Sequence, residues 1–180
     1  MTQTNVQSLY EKVQQDSKAG RFEAALDSLN ELLALFGKES PNTPALLLNR
    51  GVLLATCEKF SEAQENFKTA SELFEKRGNP EGMATAIGNT GSIHRDIGEF
   101  EKAIFYYERA LKIFMDHELF LGMATQHANV GYACSQLGLA NLAIERFEKA
   151  AELYDRLGAV EQGETTRKNI ELLKNTGEER

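Results

Sequence analysis

Gly82-Met83-Ala84-Thr85 recurs 40 residues later as Gly122-Met123-Ala124-Thr125, and this repetition decides the fold. The same offset relates three Asn-x-Gly motifs, which begin at Asn49, Asn89 and Asn129. A fixed internal period of this length is typical of proteins built as an array of similar units, because each unit buries its apolar face against its neighbours. The sequence therefore predicts a repeat protein.

The second part of each unit carries apolar residues at helical spacing. In one copy, Phe100, Ala103, Tyr107 and Ala110 follow one another at intervals of three and four residues, which places them on one face of a helix. Related copies contain Phe60, Ala63, Phe67 and Ala70; Ala143, Phe147 and Ala150; and, earlier, Gly20, Phe22, Ala25, Leu29 and Leu32. The alanines at positions 63, 103 and 143 let a neighbouring helix approach closely. The aromatic residue four positions after each of them fills the space beyond.

An early glycine in one helix, followed by an alanine and an aromatic residue in the next, resembles the tetratricopeptide repeat family. The resemblance implies an all-α fold: a right-handed α-solenoid of antiparallel helix pairs, closed by a C-terminal capping helix. It covers nearly all of a single predicted domain, 1–180. We expect repeats at about 6–43, 44–83, 84–123 and 124–159, and the capping helix at about 160–175.

The repeats also depart from the family pattern. The early tryptophan and the closing proline of the family are absent, and the period exceeds the usual length of about 34 residues. In this respect the chain resembles the long repeats of kinesin light chains and of adaptor proteins in G-protein signalling. The added residues predict a longer second helix in each pair.

Composition excludes several classes of function. The formal net charge is -7 and neither sign forms a long run, which argues against nucleic acid as a partner. No stretch approaches the roughly 20 apolar residues that cross a bilayer, and the start lacks a signal-peptide pattern. Cys57 and Cys134 lack metal-ligand spacing. We expect a soluble, cytoplasmic protein without cofactor or metal.

Catalytic patterns are missing from the sequence. His94, His117 and His127 are scattered along the repeats, and no phosphate-cradling glycine loop occurs. We assign all three histidines structural roles. The sequence therefore predicts a non-catalytic adaptor or scaffold module that binds an extended peptide segment of a partner protein in a concave groove.

Asparagine recurs at one position of the predicted groove. Asn49, Asn89, Asn129 and Asn169 follow at steps of 40 residues. Each forgoes about 0.5 kcal/mol of helix propensity relative to alanine, so an interaction should offset the cost. A side-chain amide can pair with the N–H and C=O of one peptide residue. The resemblance implies that these amides bind ligand backbone; alternatively, they bond to the scaffold.

The resemblance places other residues in the same lining: Thr85, Thr125, Ser92, Arg95, Tyr132 and Lys168. Arg95 and Lys168 are candidates for an acidic ligand group, and Tyr132 for an aromatic platform. Alternatively, Arg95 pairs with Asp96 or Glu99. The co-chaperone branch of the family grips a C-terminal carboxylate with lysine and asparagine, where this chain has Gln7 and Glu11, so a chaperone tail is disfavoured.

The alternative function is a self-associating scaffold subunit that uses either the turn at Leu119–Leu121 or the convex face of the solenoid. Leu119, Phe120 and Leu121 occupy the turn between the third and fourth repeats, where the preceding turn carries Asn79-Pro80-Glu81. Three apolar residues at an exposed turn are suited to a homodimer contact. They are equally suited to packing between the long helices.

Overall fold

The computed structural model describes residues 3–178, and this part of the chain consists of helices joined by short turns. The helices are α1 (Gln3–Lys18), α2 (Phe22–Phe36), α3 (Thr43–Thr56), α4 (Phe60–Lys76), α5 (Pro80–Asp96), α6 (Phe100–Asp116), α7 (Phe120–Gln136), α8 (Ala140–Leu157) and α9 (Val160–Glu178). From Phe60 onward a new helix begins every 20 residues, two helices to each 40-residue repeat. The all-α class and the helical repeat are therefore confirmed.

The described residues fall into two compact units that meet in sequence between Gly82 and Met83. The first contains α1 to α4, and the second contains most of α5 and all of α6 to α9 as far as they are described. The single domain and the repeat boundaries stay predictions. None of the helices within residues 3–178 is long and apolar enough to cross a membrane.

Helix length agrees with the expectation in the second predicted repeat, where α3 has 14 residues and α4 has 17, but not in the two repeats that follow. In the third predicted repeat, α5 and α6 both have 17 residues, so the second helix is not the longer one. In the fourth, α7 has 17 residues and α8 has 18. The residues that lengthen the period are thus shared by both helices of a pair.

The turns between helices require a left-handed residue. Gly98 and Gly138 take this role, with φ angles of 79° and 73°. Glu58 is at the position that corresponds to Gly98 in the preceding repeat, and its φ angle is 58°. Glu118, in the connection between α6 and α7, has a φ angle of 54°. Residues with a side chain rarely adopt this conformation. The helix pairing therefore imposes the turn geometry even where glycine is absent.

Glycines of the first helices receive the aromatic rings of the second. A methyl group added at Gly131 would lie 2.8 Å from Cδ1 of Phe147, and one at Gly91 would lie 2.8 Å from Cδ1 of Tyr107. Gly51 meets Phe67 in the same way in the first unit. The rings occupy the space that a side chain at the glycine would take. This explains why the glycine of each Asn-x-Gly motif recurs with an aromatic residue 16 positions after it.

We expect Gly131→Ala to lower the free energy of unfolding by about 1 kcal/mol. Forcing a methyl group into a packed contact costs about 1–3 kcal/mol, and the better helix propensity of alanine returns roughly 1 kcal/mol. The matched control is Gly163→Ala, where the added methyl group would meet only the side-chain ends of Asp155 and Arg167. Urea denaturation of both variants checks the prediction, which is wrong if Gly131→Ala is as stable as Gly163→Ala.

The core of the second unit centres on Tyr107, Phe147 and Val130, each at most 2% exposed. Cys134 belongs to this cluster, and burial raises the pKa of its thiol, so the group is held neutral. Among the described residues, no group of His, Cys, Asp and Glu side chains is arranged to hold a metal ion.

Helix α9 has one packed face and one charged face. Ile170 and Leu173 pack against the Tyr107–Phe147 cluster. On the other face, Glu171 stands where Gly91 and Gly131 receive aromatic rings, and it is exposed. The role of α9 as a capping helix stays a prediction.

Candidate functional site

An open groove of about 710 Å³ lies among helices α5, α7, α8 and α9 of the second unit. Its lining comprises Arg95, Asp96, Ala128, Asn129, Tyr132, Phe147, Tyr154, Glu161, Gln162, Thr165, Thr166 and Asn169. The repeat period explains this arrangement, because residues separated by 40 positions occupy equivalent places on successive first helices. Four residues of the predicted site, Arg95, Asn129, Tyr132 and Asn169, are brought together here.

Asn129 and Asn169 are the equivalent amides on α7 and α9, and both are partly exposed. Neither side chain makes a hydrogen bond to any residue that the structure describes. The scaffold bonds that the sequence left open as an alternative are therefore not formed by these two amides. Their donors and acceptors face the groove unsatisfied by protein, as groups that meet a ligand or solvent do.

The other two predicted amides lie elsewhere. Asn89 is partly buried on α5, outside the lining of the groove. Asn49 is exposed on α3 in the first unit. A role of either in ligand binding stays a prediction.

Aromatic side chains form the wall and floor of the groove. Tyr132 is 44% exposed and presents its ring, whereas Phe147 and Tyr154 are buried beneath. The Tyr154 hydroxyl donates to Thr125 Oγ1 over 3.4 Å, and the Thr125 hydroxyl donates to the Leu121 carbonyl over 3.0 Å. Thr125 thus holds the hydroxyl of Tyr154 without lining the groove, and Tyr132 is the aromatic surface available to a ligand.

Three further predicted residues lie outside the lining. The Ser92 hydroxyl accepts a hydrogen bond from the Tyr107 hydroxyl over 3.2 Å and donates to the Gly88 carbonyl over 3.4 Å. Thr85 is partly buried on α5, and Lys168 is exposed on α9. Ser92 therefore has a structural partner in the core, and ligand contacts by these residues stay predictions.

The charged residues of the groove make it slightly acidic. Arg95 Nε lies 2.8 Å from Asp96 Oδ1, and Arg95 Nη2 lies 2.7 Å from the same oxygen. Glu161 makes no ion pair with any described residue. One guanidinium and two carboxylates leave a net negative lining, and the cation is already paired. An acidic ligand group is therefore not what this groove favours.

Sequence reasoning did not single out Tyr154, Glu161 or Gln162. Tyr154 stands at the position that Phe74 and Phe114 occupy in earlier repeats, and the added hydroxyl at this place was the available signal. Glu161 and Gln162 come from the first turn of α9, ahead of the positions that the family geometry assigns to the lining.

The turn proposed for self-association is partly packed between helices and partly exposed, so it has features of both alternatives that the sequence offered. Leu119 packs beside Ala84, Ala110 and Phe114 in the core. Phe120 and Leu121 are 40% and 58% exposed. Arg156 covers one face of Phe120, with its guanidinium carbon 5.5 Å from the ring centre. Self-association through this turn stays a prediction.

Two histidines are buried within the helix pairs. His94 Nδ1 lies 2.7 Å from Glu99 Oε2, and its ring stacks on Tyr106 at 5.1 Å. His127 is 8% exposed, and its Nδ1 has no hydrogen-bond partner among the described residues. Burial, together with the charges of Arg146 and Lys149, lowers its pKa to about 4. The imidazole is therefore neutral near pH 7, packed rather than exposed to a substrate.

The repeats and the groove define an all-α helical-repeat protein of the solenoid class. Residues 42–116 match the family model of the tetratricopeptide repeat, so the chain contains tetratricopeptide repeats over that range. The resemblance indicated by the sequence is thereby confirmed. Comparison with curated protein sequences gives no match.

Solved structures support the same fold. Aspartyl phosphate phosphatase F from Bacillus subtilis superposes with a TM-score of 0.87 over 97% of this chain and 46% of its own, at 15% identity. A Rap protein complexed with competence and sporulation factor gives a TM-score of 0.82 over 99% of this chain and 51% of its own, at 16% identity. The apo form of RapI gives 0.82 over 99% and 51%, at 11% identity. This chain thus spans about half the length of these relatives, and identities this low show the fold alone.

Proposed function

We propose that this protein is a non-catalytic interaction module whose second unit binds an extended peptide segment of a partner protein. The observation that supports the proposal is the pair of amides Asn129 and Asn169, which line one open groove and have no protein partner within the described chain. An amide donates and accepts at once, and can therefore hold one residue of peptide backbone whatever its side chain. Affinity would then come from main-chain contacts.

The remaining lining gives the segment its preferred chemistry. Tyr132 offers a half-exposed aromatic face, which suits an apolar or cationic side chain. Asp96 and Glu161 outnumber the paired Arg95, which suits a neutral or basic segment. A solved Rap protein of this fold holds competence and sporulation factor, and binding of a separate factor is the activity that we propose for this chain too.

A peptide selection tests the proposal directly. Random peptides displayed on phage are selected on the full chain, and individual binders are synthesised and measured by fluorescence anisotropy. We expect Asn129→Ala combined with Asn169→Ala to weaken each binder at least tenfold, because each lost amide bond contributes roughly 1 kcal/mol. Since the amides read backbone, peptides of different sequence should lose affinity to a similar degree.

The matched control replaces two exposed asparagines that do not line the groove, Asn30 on α2 and Asn141 on α8, by alanine. Thermal unfolding establishes that both double variants are folded. The control should bind as the wild type does, and the selected peptides should be richer in lysine and arginine than in aspartate and glutamate. Equal binding by the groove variant and the control would rule out the amides as the peptide site.

A further inference from the structure

Helix α6 differs from α4 and α8 in the kind of side chains that it exposes to solvent. Phe105, Arg109, Lys112 and Met115 follow at intervals of four, three and three residues, which places them on one face of the helix. We call these four residues the α6 stripe. Phe105 is 58% exposed and Met115 is 53% exposed. Arg109 and Lys112 are exposed between them.

The repeat offers an internal comparison for these positions. In α4 the residues 40 positions earlier are Glu65, Thr69, Glu72 and Glu75. In α8 the residues 40 positions later are Glu145, Lys149, Glu152 and Asp155. Three of four positions are acidic in both. Only α6 replaces those acids with two large apolar residues and a lysine, in a chain whose net charge is -7.

Neighbouring contacts hold one end of the stripe in place. The ring of Tyr106 stacks on His94 and meets Phe105 edge-on, with ring centres 5.4 Å apart. Arg109 lies over Phe105, with its guanidinium carbon 5.7 Å from the ring centre. These contacts fix an exposed aromatic ring and its cation before a partner arrives, which lowers the cost of ordering them on binding.

The two cations of the stripe are available for a partner. Arg109 makes no ion pair with any described residue. Lys112 meets only Asp116, over 3.4 Å and with both side chains more than half exposed, and such a surface pair contributes little. Glu108, the acid next to Arg109, is bound by Arg146 over 2.9 Å. The stripe therefore presents positive charge between two apolar ends.

We infer that the α6 stripe is a second docking surface, which takes an acidic amphipathic helix of a partner protein. The stripe extends over about 15 Å, the rise of ten helical residues. A partner helix lying along it places carboxylates opposite Arg109 and Lys112 and apolar side chains opposite Phe105 and Met115. An extended segment would lack main-chain partners, since the backbone bonds of α6 are used within the helix. Charge complementarity thus favours an acidic partner, and the lack of main-chain partners favours a helix over an extended segment. The site is separate from the groove.

A designed peptide tests this inference. The probe is a helical peptide of about 18 residues, with leucine at its fourth and fourteenth positions and glutamate at its eighth and eleventh; the matched peptide has lysine in place of both glutamates. Anisotropy with the full chain should show binding of the acidic peptide and at least tenfold weaker binding of the basic one. Binding should also weaken as salt rises.

Two variants copy the α4 residues onto α6: Phe105→Glu with Met115→Glu, and Arg109→Thr with Lys112→Glu. Each should weaken the acidic peptide at least tenfold, while Asn129→Ala with Asn169→Ala leaves it unchanged. Because the substituted side chains are exposed, the fold should survive, and thermal unfolding checks this. Loss of binding in the asparagine variant instead would assign the peptide to the groove and overturn the inference.

Other occupants give different outcomes. Unchanged binding by both stripe variants, or no binding of the acidic peptide to the wild type, overturns the inference. Binding to vesicles of anionic lipid that the stripe variants abolish, without peptide binding, would make the surface a membrane contact. A dimer mass in sedimentation that falls to the monomer mass in the Phe105→Glu variant would make it a contact between copies.

Discussion

Tyr107→Ala should lower the free energy of unfolding by about 3–5 kcal/mol, the usual cost of truncating a large buried aromatic residue. Tyr107 is 0% exposed, lies in the core cluster of the second unit and occupies the space beside Gly91. Truncation would leave a cavity there and would also remove the hydrogen bond that its hydroxyl donates to Ser92. Urea denaturation followed by circular dichroism measures the loss.

The control for this prediction lies two residues away on the same helix. Phe105→Ala removes a side chain of similar size that is 58% exposed, and surface changes of this kind usually stay within about 0.5 kcal/mol. The pair separates core packing from helix propensity, since both variants place alanine in α6. If Phe105→Ala destabilises the protein as much as Tyr107→Ala, the assignment of the two faces of α6 is incorrect.

Stability should fall as the pH is lowered from 7 to 5, and His127 should account for about 2 kcal/mol of that loss. The pKa of His127 is about 4 in the folded protein, below its value of about 6.5 in an unfolded chain. Between these values the unfolded state binds more protons than the folded state. The contribution of the neutral imidazole is therefore complete above about pH 6.5 and is lost progressively as the pH falls toward 4.

The test compares urea denaturation at pH 7 and pH 5 in His127→Gln and in His117→Gln. His117 is exposed, so its replacement is the matched control: it removes a histidine without disturbing the core. His127→Gln should lose about 2 kcal/mol of that dependence, whatever its stability at pH 7. Carboxylates titrate in the same range, but both variants retain all of them, so most of their contribution cancels in the comparison. Identical pH dependence in the two variants would contradict a depressed pKa at His127.

The fold was predictable because each repeat contains small and aromatic residues that pack against one another. Gly91 and Gly131 recur with Tyr107 and Phe147 at a constant separation, and these are the contacts that the structure shows. The left-handed turn at Glu118 was not predictable from composition. A glycine indicates such a turn in a sequence. Glutamate adopts the left-handed conformation here only because the packed helices on either side require it.

The candidate groove was predictable in part. The register of the repeats gave Asn129, Asn169 and Tyr132, since residues 40 positions apart recur on equivalent helices. It did not say which acid binds Arg95. In the structure Asp96 does so, because Glu99 lies beside His94 and Lys102 instead. Side-chain choices among neighbours at similar sequence distance depend on rotamers and packing, which a repeat pattern does not contain.

Each tight contact between a glycine and an aromatic ring joins residues that are close in the sequence. Gly131 and Phe147 are 16 positions apart, and Gly122 meets Phe114 only 8 positions away. A chain whose decisive contacts are this local closes only short loops as it folds, so the entropic barrier to its first native contacts is small. Folding of this protein should therefore be rapid and free to begin in any of the repeats.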